Sequence, residues 1–322
     1  MKLSLFKTEF PIMLAPMAGF TDMTYRSICR EHGCDFTFTE MISAKGLKYG
    51  GKSADLMETA PNERPCGIQL FGRDPDIMAE MARRICGENK GELALIDINM
   101  GCPAPKITGN GEGSALMKEP LTAARVIEAV AKAADLPVSV KFRKGWDSGH
   151  VNCVDFARMA EASGAAFVTI HGRTREQMYS GTADWEVIAE AKAALSIPVI
   201  GNGDVTGGSS AIAMRDYTGC DGIMIARGAL GNPYVFQEVK AAFAGVPYTP
   251  PSNAERLDLA IAHVRGLVAH KGPHGVIEMR KHIAYYVRGM KGASAFRTAA
   301  TLAPTAESLI GMIEEYKDSI SE

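Results

Sequence analysis

The chain carries a cysteine, Cys102, in a Gly-Cys-Pro corner that ends a long apolar run. Residues 93–106 read L-A-L-I-D-I-N-M-G-C-P-A-P-K. A continuous apolar run that stops at Gly and Pro predicts a buried parallel strand leading into a loop. We therefore expect Cys102 just past the carboxyl end of a strand, where α/β folds build their active sites. Two interpretations stay open: a reactive thiol in a fixed, exposed loop, and an inert thiol packed in the core.

Residues suited to ligand binding recur at the predicted ends of other strands. Two glycine-rich turns, residues 201–204 (G-N-G-D) and residues 226–228 (A-R-G), follow the last two predicted strands. Glycine lets backbone N–H groups approach an anion closely, and parallel barrels commonly bind a phosphate at their last two strands. The two turns therefore predict a phosphate site. The other candidates at strand ends are Pro16, Met17, Ala18, Gln69, Asn99, Lys141 and His171.

Lys141 lies in an apolar strand, V-S-V-K-F-R, where a lysine is rarely placed without a charge to meet. It is expected to pair with a carboxylate, form a Schiff base or stabilise an anionic cofactor. His171 is expected to be either a hydrogen-bonded structural residue or a catalytic one. Its neighbours Arg173 and Arg175 favour contact with a phosphate or a substrate.

Composition excludes several classes of protein. The 322 residues are 46% apolar and 22% charged, so the chain can bury a full core and disorder is not indicated. The net charge of −2 confines any nucleic-acid surface to a local patch. The seven cysteines are scattered without a C-x-x-C pair, so neither a disulfide framework nor a metal site is predicted. No apolar run reaches the roughly 18 residues of a membrane span, and the first ten residues lack signal-peptide features. We therefore expect a cytoplasmic protein.

Eight strand-like apolar runs alternate with helical patterns along the first part of the chain. This alternation predicts an α/β protein built as a (β/α)8 TIM barrel with eight parallel strands. The segment 43–64 is long for a connection in such a barrel, which indicates a functional segment or lid. The predicted strands are residues 12–17, 36–41, 67–71, 93–100, 138–142, 167–171, 199–203 and 222–226.

A proline-rich stretch at residues 245–253 predicts a linker between two domains, a barrel at 1–244 and a helical domain at 254–322. Helices are predicted at residues 255–270, 276–290, 293–302 and 306–317. No acidic residue lies between Glu278 and Glu307. A basic run with interleaved aromatics predicts a surface for a nucleic-acid backbone, and the alternative is a solvated helix face. The run contains Arg280, Lys281, His282, Tyr285, Tyr286, Arg288, Lys291 and Arg297.

Six motifs, taken together and in order, resemble those of the tRNA-dihydrouridine synthases. The motifs are A-P-M-A-G-F-T-D at 15–22, I-N-M-G-C-P-A-P-K at 98–106, V-K-F-R at 140–143, H-G-R-T-R at 171–175, I-G-N-G-D at 200–204 and A-R-G-A-L-G-N-P at 226–233. The segment R-K-H-x-x-Y-Y at 280–286 is similar to the helical tRNA-binding domain of the bacterial branch. One departure is Ala226, where related sequences often carry Gly before the Arg.

The resemblance implies FMN-dependent reduction of the 5,6 double bond of selected uridines in tRNA, with NADPH as the transient reductant of the flavin. It implies that Cys102 is the general acid that protonates C5 of uracil, and it must then remain a thiol. Cofactor contacts are implied for Pro16, Met17, Ala18, Gln69, Lys141, His171, Asn202, Gly203, Asp204, Ala226 and Arg227. Substrate contacts are implied for Asn99, Arg173, Arg280, Lys281, Tyr285 and Arg288, and His171 is a second candidate for the uracil edge. We expect a monomer whose partners are tRNA and NADPH.

Two other functions fit parts of the pattern. An FMN barrel acting on a free pyrimidine, of the dihydroorotate or dihydropyrimidine dehydrogenase type, shares the flavin, the lysine and a loop cysteine. It needs no basic, acid-free helical surface, which argues against it. A non-redox tRNA-binding protein on a degenerate barrel is disfavoured by the intact Cys102, Lys141 and glycine turns.

Overall fold

The computed structural model describes Phe6, residues 8–89 and residues 91–321. Its eight parallel strands form one sheet in the order β1-β8-β7-β6-β5-β4-β3-β2, which is the order of a (β/α)8 barrel. Residues 1–5, 7, 90 and 322 of the predicted domain ranges lie outside the described residues. The strands are β1 Ile12–Leu14, β2 Ile42–Ser43, β3 Cys66–Phe71, β4 Leu93–Met100, β5 Val138–Gly145, β6 Phe167–Thr174, β7 Val199–Asn202 and β8 Gly222–Ile225.

The second strand is predicted at residues 36–41, and this prediction is wrong. The structure places β2 later, at Ile42–Ser43, and the stretch before it pairs only at single positions. This stretch still closes the sheet, because the Leu14 amide donates to the Phe36 carbonyl at 3.0 Å and the Gly67 amide donates to the Thr37 carbonyl at 2.9 Å. It thus connects β1 to β3 and completes the barrel without forming a continuous ladder.

A helix follows each strand and packs its apolar face on the barrel. Helix α3 shows the local signals: the Asp74 carboxylate accepts hydrogen bonds from the first-turn amides, and Pro75 occupies the first helical position. The helices are α1 Met23–Glu31, α2 Ala44–Lys48, α3 Pro75–Glu88, α4 Pro105–Thr108, α5 Pro120–Ala133, α6 Cys153–Ala162, α7 Glu186–Ala194, α8 Gly208–Thr218, α9 Val235–Ala244, α10 Asn253–Lys271, α11 His274–Tyr286, α12 Ala293–Ala300 and α13 Ala306–Ser321. Short 3-10 turns lie at Lys52–Met57, Pro61–Glu63, Gly113–Lys118 and Arg227–Ala229.

The apolar core has three parts. One fills the interior of the barrel with rings such as Phe38 and Phe167, and a larger one lies between the strands and their helices. Helices α10–α13 enclose a third part, which includes Met279 and Phe296. The limits of the two domains, 1–244 and 254–322, stay a prediction. Among the described residues, we find no helix with the length and apolar character that crossing a bilayer demands.

The segment 43–64 contains α2 and two 3-10 turns where the sequence predicts one long loop. Its end is fixed to the barrel by Glu63, whose fully buried carboxylate forms an ion pair with Arg26 of α1 at 2.8 Å. Removing one partner of such a pair leaves a buried charge uncompensated, which is strongly destabilising. This end of the segment is therefore a fixed part of the structure, and a role as a lid stays a prediction for the rest.

Candidate active site

A cavity of about 1060 Å³ opens at the carboxyl ends of the barrel strands. It brings together most of the residues for which the sequence predicts a catalytic, cofactor or substrate contact. Of these residues, Arg280 and Lys281 do not line the cavity. The predicted residues that line it are Pro16, Met17, Ala18, Gln69, Asn99, Cys102, Lys141, His171, Arg173, Asn202, Gly203, Asp204, Ala226, Arg227, Tyr285 and Arg288.

Cys102 follows β4 in a loop whose backbone is held on both sides. The Asn99 side-chain oxygen accepts hydrogen bonds from the amides of Gly101 at 3.1 Å and Cys102 at 2.9 Å. The Cys102 carbonyl accepts from the Ser114 amide at 3.1 Å and the Ser114 hydroxyl at 2.9 Å. Burial raises the pKa of the Cys102 thiol, and the Ala104 amide only partly offsets this. The group is therefore a protonated thiol at neutral pH.

A row of hydrogen bonds runs from the Cys102 loop into the barrel wall. Asn99 Nδ2 donates to Gln69 Oε1 at 2.8 Å, and Gln69 Nε2 donates to Asp97 Oδ2 at 2.6 Å. The Ser139 hydroxyl donates to Asp97 Oδ1 at 2.6 Å. An ionised carboxylate only accepts hydrogen bonds, so Asp97 sets the orientation of the Gln69 amide and, through it, that of Asn99. Asn99 thus positions the Cys102 loop, and its contact with uracil stays a prediction.

Sequence reasoning missed Asp97, although a signal was present in the chain. It is the acidic residue of β4, whose other members except Asn99 are apolar, and it is fully buried. Burial raises its pKa from 3.8 to about 6, against the hydrogen bonds from Gln69 and Ser139. A buried ionisable group in a strand that ends at a cavity is a candidate functional residue.

Lys141 contacts a carboxamide and no carboxylate among the described residues, so of its three predicted roles the ion pair is wrong, and the Schiff base and the contact with an anionic cofactor stay predictions. Its ammonium donates to Asn202 Oδ1 at 3.1 Å, and Asn202 Nδ2 donates to the Met224 carbonyl at 2.7 Å. Among the described residues Lys141 forms no ion pair, so its charge remains available to a ligand. Burial and the nearby Arg143 lower its pKa to about 8.

His171 is neutral at physiological pH. Burial is the first cause and the positive charge of Lys141 the second, and together they hold its pKa well below 6.5. A neutral imidazole can donate from one ring nitrogen and accept at the other, so it can contact a ligand without adding charge.

Arg143 is a second residue that sequence reasoning missed, although it ends the V-K-F-R motif. Its guanidinium donates to the carbonyls of Gly101 at 2.8 Å, Thr174 at 2.8 Å and Met178 at 3.0 Å. These contacts join the ends of β4 and β6 across β5. Arg143 therefore holds the shape of the cavity mouth beside Cys102.

The turns after β7 and β8 present a set of free backbone donors. Within the described residues, the N–H groups of Gly203, Asp204, Arg227 and Gly228 have no hydrogen-bond acceptor. The turns also touch closely, because a Cβ at Gly228 would lie 3.0 Å from the Cα of Thr206. Adjacent unpaired N–H groups are suited to an anion such as a phosphate. We call these four N–H groups the cradle; they lie where the two glycine turns predict a phosphate site, and the binding of a phosphate there stays a prediction.

Arg173 and Asp204 pair with each other. The guanidinium donates to both carboxylate oxygens, at 2.8 and 2.9 Å, and also to the carbonyls of Ser180 and Gly181. Burial opposes ionisation of Asp204, but the hydrogen bonds from Arg173 and the Ala183 amide, together with the charges of Arg173 and Arg227, outweigh it and lower the pKa of the carboxyl. The pair neutralises a carboxylate beside the cradle, which a phosphate would otherwise meet as a like charge.

Three basic residues of the tail have three different environments. Arg288 is exposed and its guanidinium lies 5.1 Å from the ring centroid of Tyr285, and both side chains line the cavity. Arg280 instead donates to the Ala303 carbonyl at 3.0 Å and joins α11 to the segment after α12. Lys281 lies between these cases, with its ammonium 5.6 Å from the Phe20 ring and 3.6 Å from Glu278.

The fold and the cavity define the chain as a (β/α)8-barrel protein with a cavity at the carboxyl ends of the strands, where such barrels bind their ligands. Its sequence matches the model of one family, described as dihydrouridine synthase (Dus), over residues 13–321, and the chain belongs to that family.

Relatives extend over nearly the full chain. A Synechocystis sp. protein named "Probable tRNA-dihydrouridine synthase 1" is 41% identical, over 89% of this chain and 80% of its own length. Proteins named "tRNA-dihydrouridine synthase B" are 39% identical in Xanthomonas campestris, over 96% of this chain and 93% of theirs, and 36% identical in Vibrio cholerae, over 100% of both. The resemblance that the motifs indicate is thereby confirmed.

Proposed function

We propose that this chain is a tRNA-dihydrouridine synthase, which reduces uridines in tRNA to 5,6-dihydrouridine with bound FMN and with NADPH as reductant. The observation that carries the proposal is family membership over residues 13–321. The protonated Cys102 thiol at the wall of the cavity supports it from the side of chemistry.

The residues at the cavity fit FMN. The free N–H groups of Gly203, Asp204, Arg227 and Gly228 would hold its single phosphate. Gln69 uses one of its two amide hydrogens on Asp97, which leaves the other for the polar edge of the ring. When bound, FMN supplies the hydride that a uracil ring accepts at C6.

Lys141 and Cys102 would carry the charge and proton chemistry. The Lys141 ammonium has no carboxylate partner in the described residues, so it can stabilise negative charge on the cofactor. Addition of a hydride at C6 leaves C5 of uracil in need of a proton, and the Cys102 thiol would donate it. Asn99 and Ser114 hold the backbone of this residue, so the thiol would be positioned before the substrate arrives.

A polynucleotide substrate accounts for the residues that the helical part adds to the cavity. A uracil in tRNA must leave its stack to reach a site inside a barrel. Tyr285 offers a ring for stacking and Arg288 a charge for a phosphate, and both line the cavity. An enzyme for a free pyrimidine needs neither.

The proposal is tested in cells and with purified protein. Mapping dihydrouridine in tRNA from cells that lack the protein should show positions that lose the modification and regain it when the gene is restored. The purified protein should release FMN on heating, and NADPH should support dihydrouridine formation in unmodified tRNA. An unchanged map, or turnover of free pyrimidines in place of tRNA, would overturn the function, and recovery of FAD would overturn the cofactor. Gel filtration and cell fractionation test the expected monomer and cytoplasmic location.

A further inference from the structure

Two cationic side chains contact one indole ring at the rim of the barrel. The ammonium of Lys118 lies 4.0 Å from the ring centroid of Trp146, and the guanidinium carbon of Arg175 lies 4.7 Å from it. Trp146 directly follows β5 and Arg175 directly follows β6. Lys118 ends the 3-10 turn after β4, so all three lie at the same edge of the barrel as Cys102. We call Lys118, Trp146 and Arg175 the rim clamp.

The rim clamp holds two positive charges without a carboxylate. Within the described part of the chain neither cation forms an ion pair: the acidic neighbours Glu119 and Asp147 are engaged by Arg73 and His150, and Glu176, which follows Arg175, is exposed and pairs with neither cation. The Nε atom of Arg175 is buried and has no hydrogen-bond partner. Like charges on one ring repel each other, and an unsatisfied buried donor is a cost that the fold ordinarily avoids. An anion bound beside the two cations would offset the repulsion between them.

The rim clamp is attached to the loop that carries Cys102. The turn Gly113–Lys118 starts beneath that loop, where Ser114 donates to the Cys102 carbonyl at 2.9 Å. The turn ends at Lys118, and Asn152 after β5 donates to the Met117 carbonyl at 2.8 Å. Backbone amides of Arg175 and Glu176 donate to the carbonyls of residues 145 and 146, each at 2.9 Å. A group bound at the rim clamp would therefore have a fixed position relative to the thiol.

We propose that the rim clamp binds a phosphate of the RNA backbone close to the target uridine, an inference that rests on the proposed function. Arg can bind a phosphate with two parallel N–H donors, and Lys adds a point charge. None of the three side chains lines the cavity, so their ligand extends beyond it, as a polynucleotide does. The site is separate from the cradle after β7 and β8 and from the basic tail. A phosphate of NADPH has the same chemistry and could bind the rim clamp in its place, so the test distinguishes a phosphate of RNA from one of NADPH.

The test removes the two charges and keeps a polar side chain at each position. Lys118→Gln/Arg175→Gln is compared with Lys132→Gln/Arg158→Gln, which removes the same charges from exposed positions on α5 and α6. Binding of unmodified tRNA transcript to the flavin-loaded protein is measured over a range of salt, and NADPH reduction of the flavin is measured separately. We expect tRNA affinity to fall roughly tenfold in the first variant alone. The slope of log affinity against log salt should become shallower by about 0.7–0.9 per lost phosphate contact. Flavin content and the NADPH step should match the parent.

Each other outcome counts against the inference. Unchanged tRNA affinity and salt slope would show that the two cations only pack on Trp146. A weaker NADPH step with unchanged tRNA binding would assign the phosphate to the reductant and overturn the RNA assignment. Lys118→Gln alone repeats the test at an exposed position if the double variant does not fold. A parent protein that makes no dihydrouridine overturns the proposed function, whereas an active parent with unaffected variants overturns this inference only.

Discussion

The pKa of Cys102 is shifted in the opposite direction from that of a nucleophilic cysteine. Burial raises the pKa of this thiol, although Arg143 and Lys141 lie near enough to lower it. A nucleophile needs the thiolate, so catalytic cysteines of that kind have a lowered pKa. A general acid must keep its proton at the working pH, and a raised pKa serves that need.

Cys102→Ala should separate the two half-reactions of the proposed enzyme. The variant loses the proton donor for C5 but keeps the cradle, Lys141 and Gln69, so FMN content and reduction by NADPH should match the parent. Oxidation of the reduced flavin by tRNA should slow by roughly 10²–10⁴-fold, the usual contribution of a general acid. Stopped-flow absorbance measures both steps, and Cys86→Ala in α3 is the matched control because it removes a partly buried thiol outside the cavity. Equal rates with tRNA in Cys102→Ala and the parent would mean that the proton comes from elsewhere.

Asp97, in the wall of the barrel, should make the free energy of unfolding depend on pH. Burial raises its folded-state pKa to about 6, whereas an unfolded Asp titrates near 3.8. The folded protein therefore binds this proton more tightly, and the stability it contributes is complete below pH 3.8 and lost as pH rises through about 6. The shift corresponds to about 3 kcal/mol.

Asp97→Asn should abolish this dependence, since an amide does not titrate and the Ser139 hydroxyl can rotate to accept from it. The free energy of unfolding of the variant, relative to the parent, should rise by about 2.4 kcal/mol from pH 4 to pH 7, which is most of the full effect. Urea unfolding at the two pH values measures the difference. A relative stability that is the same at both pH values would contradict the assignment of the raised pKa.

At the scale of elements, α11 and the turn after it carry arginines with different tasks. The side chain of Arg280 lies against the segment after α12 and its Nε is buried, whereas Arg288 is exposed at the cavity. A basic residue thus packs within the protein or stays free for a ligand according to the segment that faces it, and contact of Arg288 with RNA stays a prediction.

Arg288→Ala and Arg280→Ala should therefore affect different measurements. Arg288→Ala should weaken tRNA binding roughly tenfold and leave the melting temperature near that of the parent, because an exposed charge contributes little to folding. Arg280→Ala should lower the free energy of unfolding by about 1–3 kcal/mol, because the Ala303 carbonyl loses its donor. Filter binding and thermal unfolding distinguish the two. Equal losses of tRNA affinity without a change in stability would show that both arginines contact the RNA.

At the scale of the whole molecule, the helical part docks on the barrel through close backbone contact. The Tyr25 hydroxyl of α1 donates to the Ala229 carbonyl, and its ring stacks on His263 of α10 with centroids 5.3 Å apart. Gly231, after β8, lies against the last turn of α11, where a Cβ would approach the amide nitrogen of Tyr286 to 2.5 Å. This contact sets where the basic tail stands relative to the cavity.

Gly231→Ala should disturb this docking, and Gly245→Ala is its matched control. The two glycines have nearly equal φ angles, +65° and +67°, so both variants incur the left-handed strain of about 1–2 kcal/mol. Only Gly231→Ala also places a methyl group against helix backbone, which cannot move aside as a side chain can. Its melting temperature and tRNA affinity should fall well below those of Gly245→Ala. Indistinguishable variants would mean that the two parts can separate at this contact without cost.

Local patterns in the sequence are sufficient to predict the barrel, because strand and helix periodicity depend on near neighbours. Parallel strands bring their carboxyl ends to one edge, so the positions of Cys102, Lys141 and His171 at a shared cavity follow from the order of the elements. The glycine turns predict the cradle for the same reason.

Only the tertiary structure decided which partners these side chains have. Asp97 meets Gln69 at a separation of 28 residues, Arg173 meets Asp204 at 31, and Lys141 meets Asn202 at 61. Such contacts depend on strand register and side-chain direction across the barrel, which periodicity along one segment does not specify. For the same reason, Arg280 and Arg288 look alike in sequence, and yet one packs against the segment after α12 and the other is exposed at the cavity. The sequence determines which residues reach the mouth of the barrel, and the packing of distant segments determines what each of them contacts there.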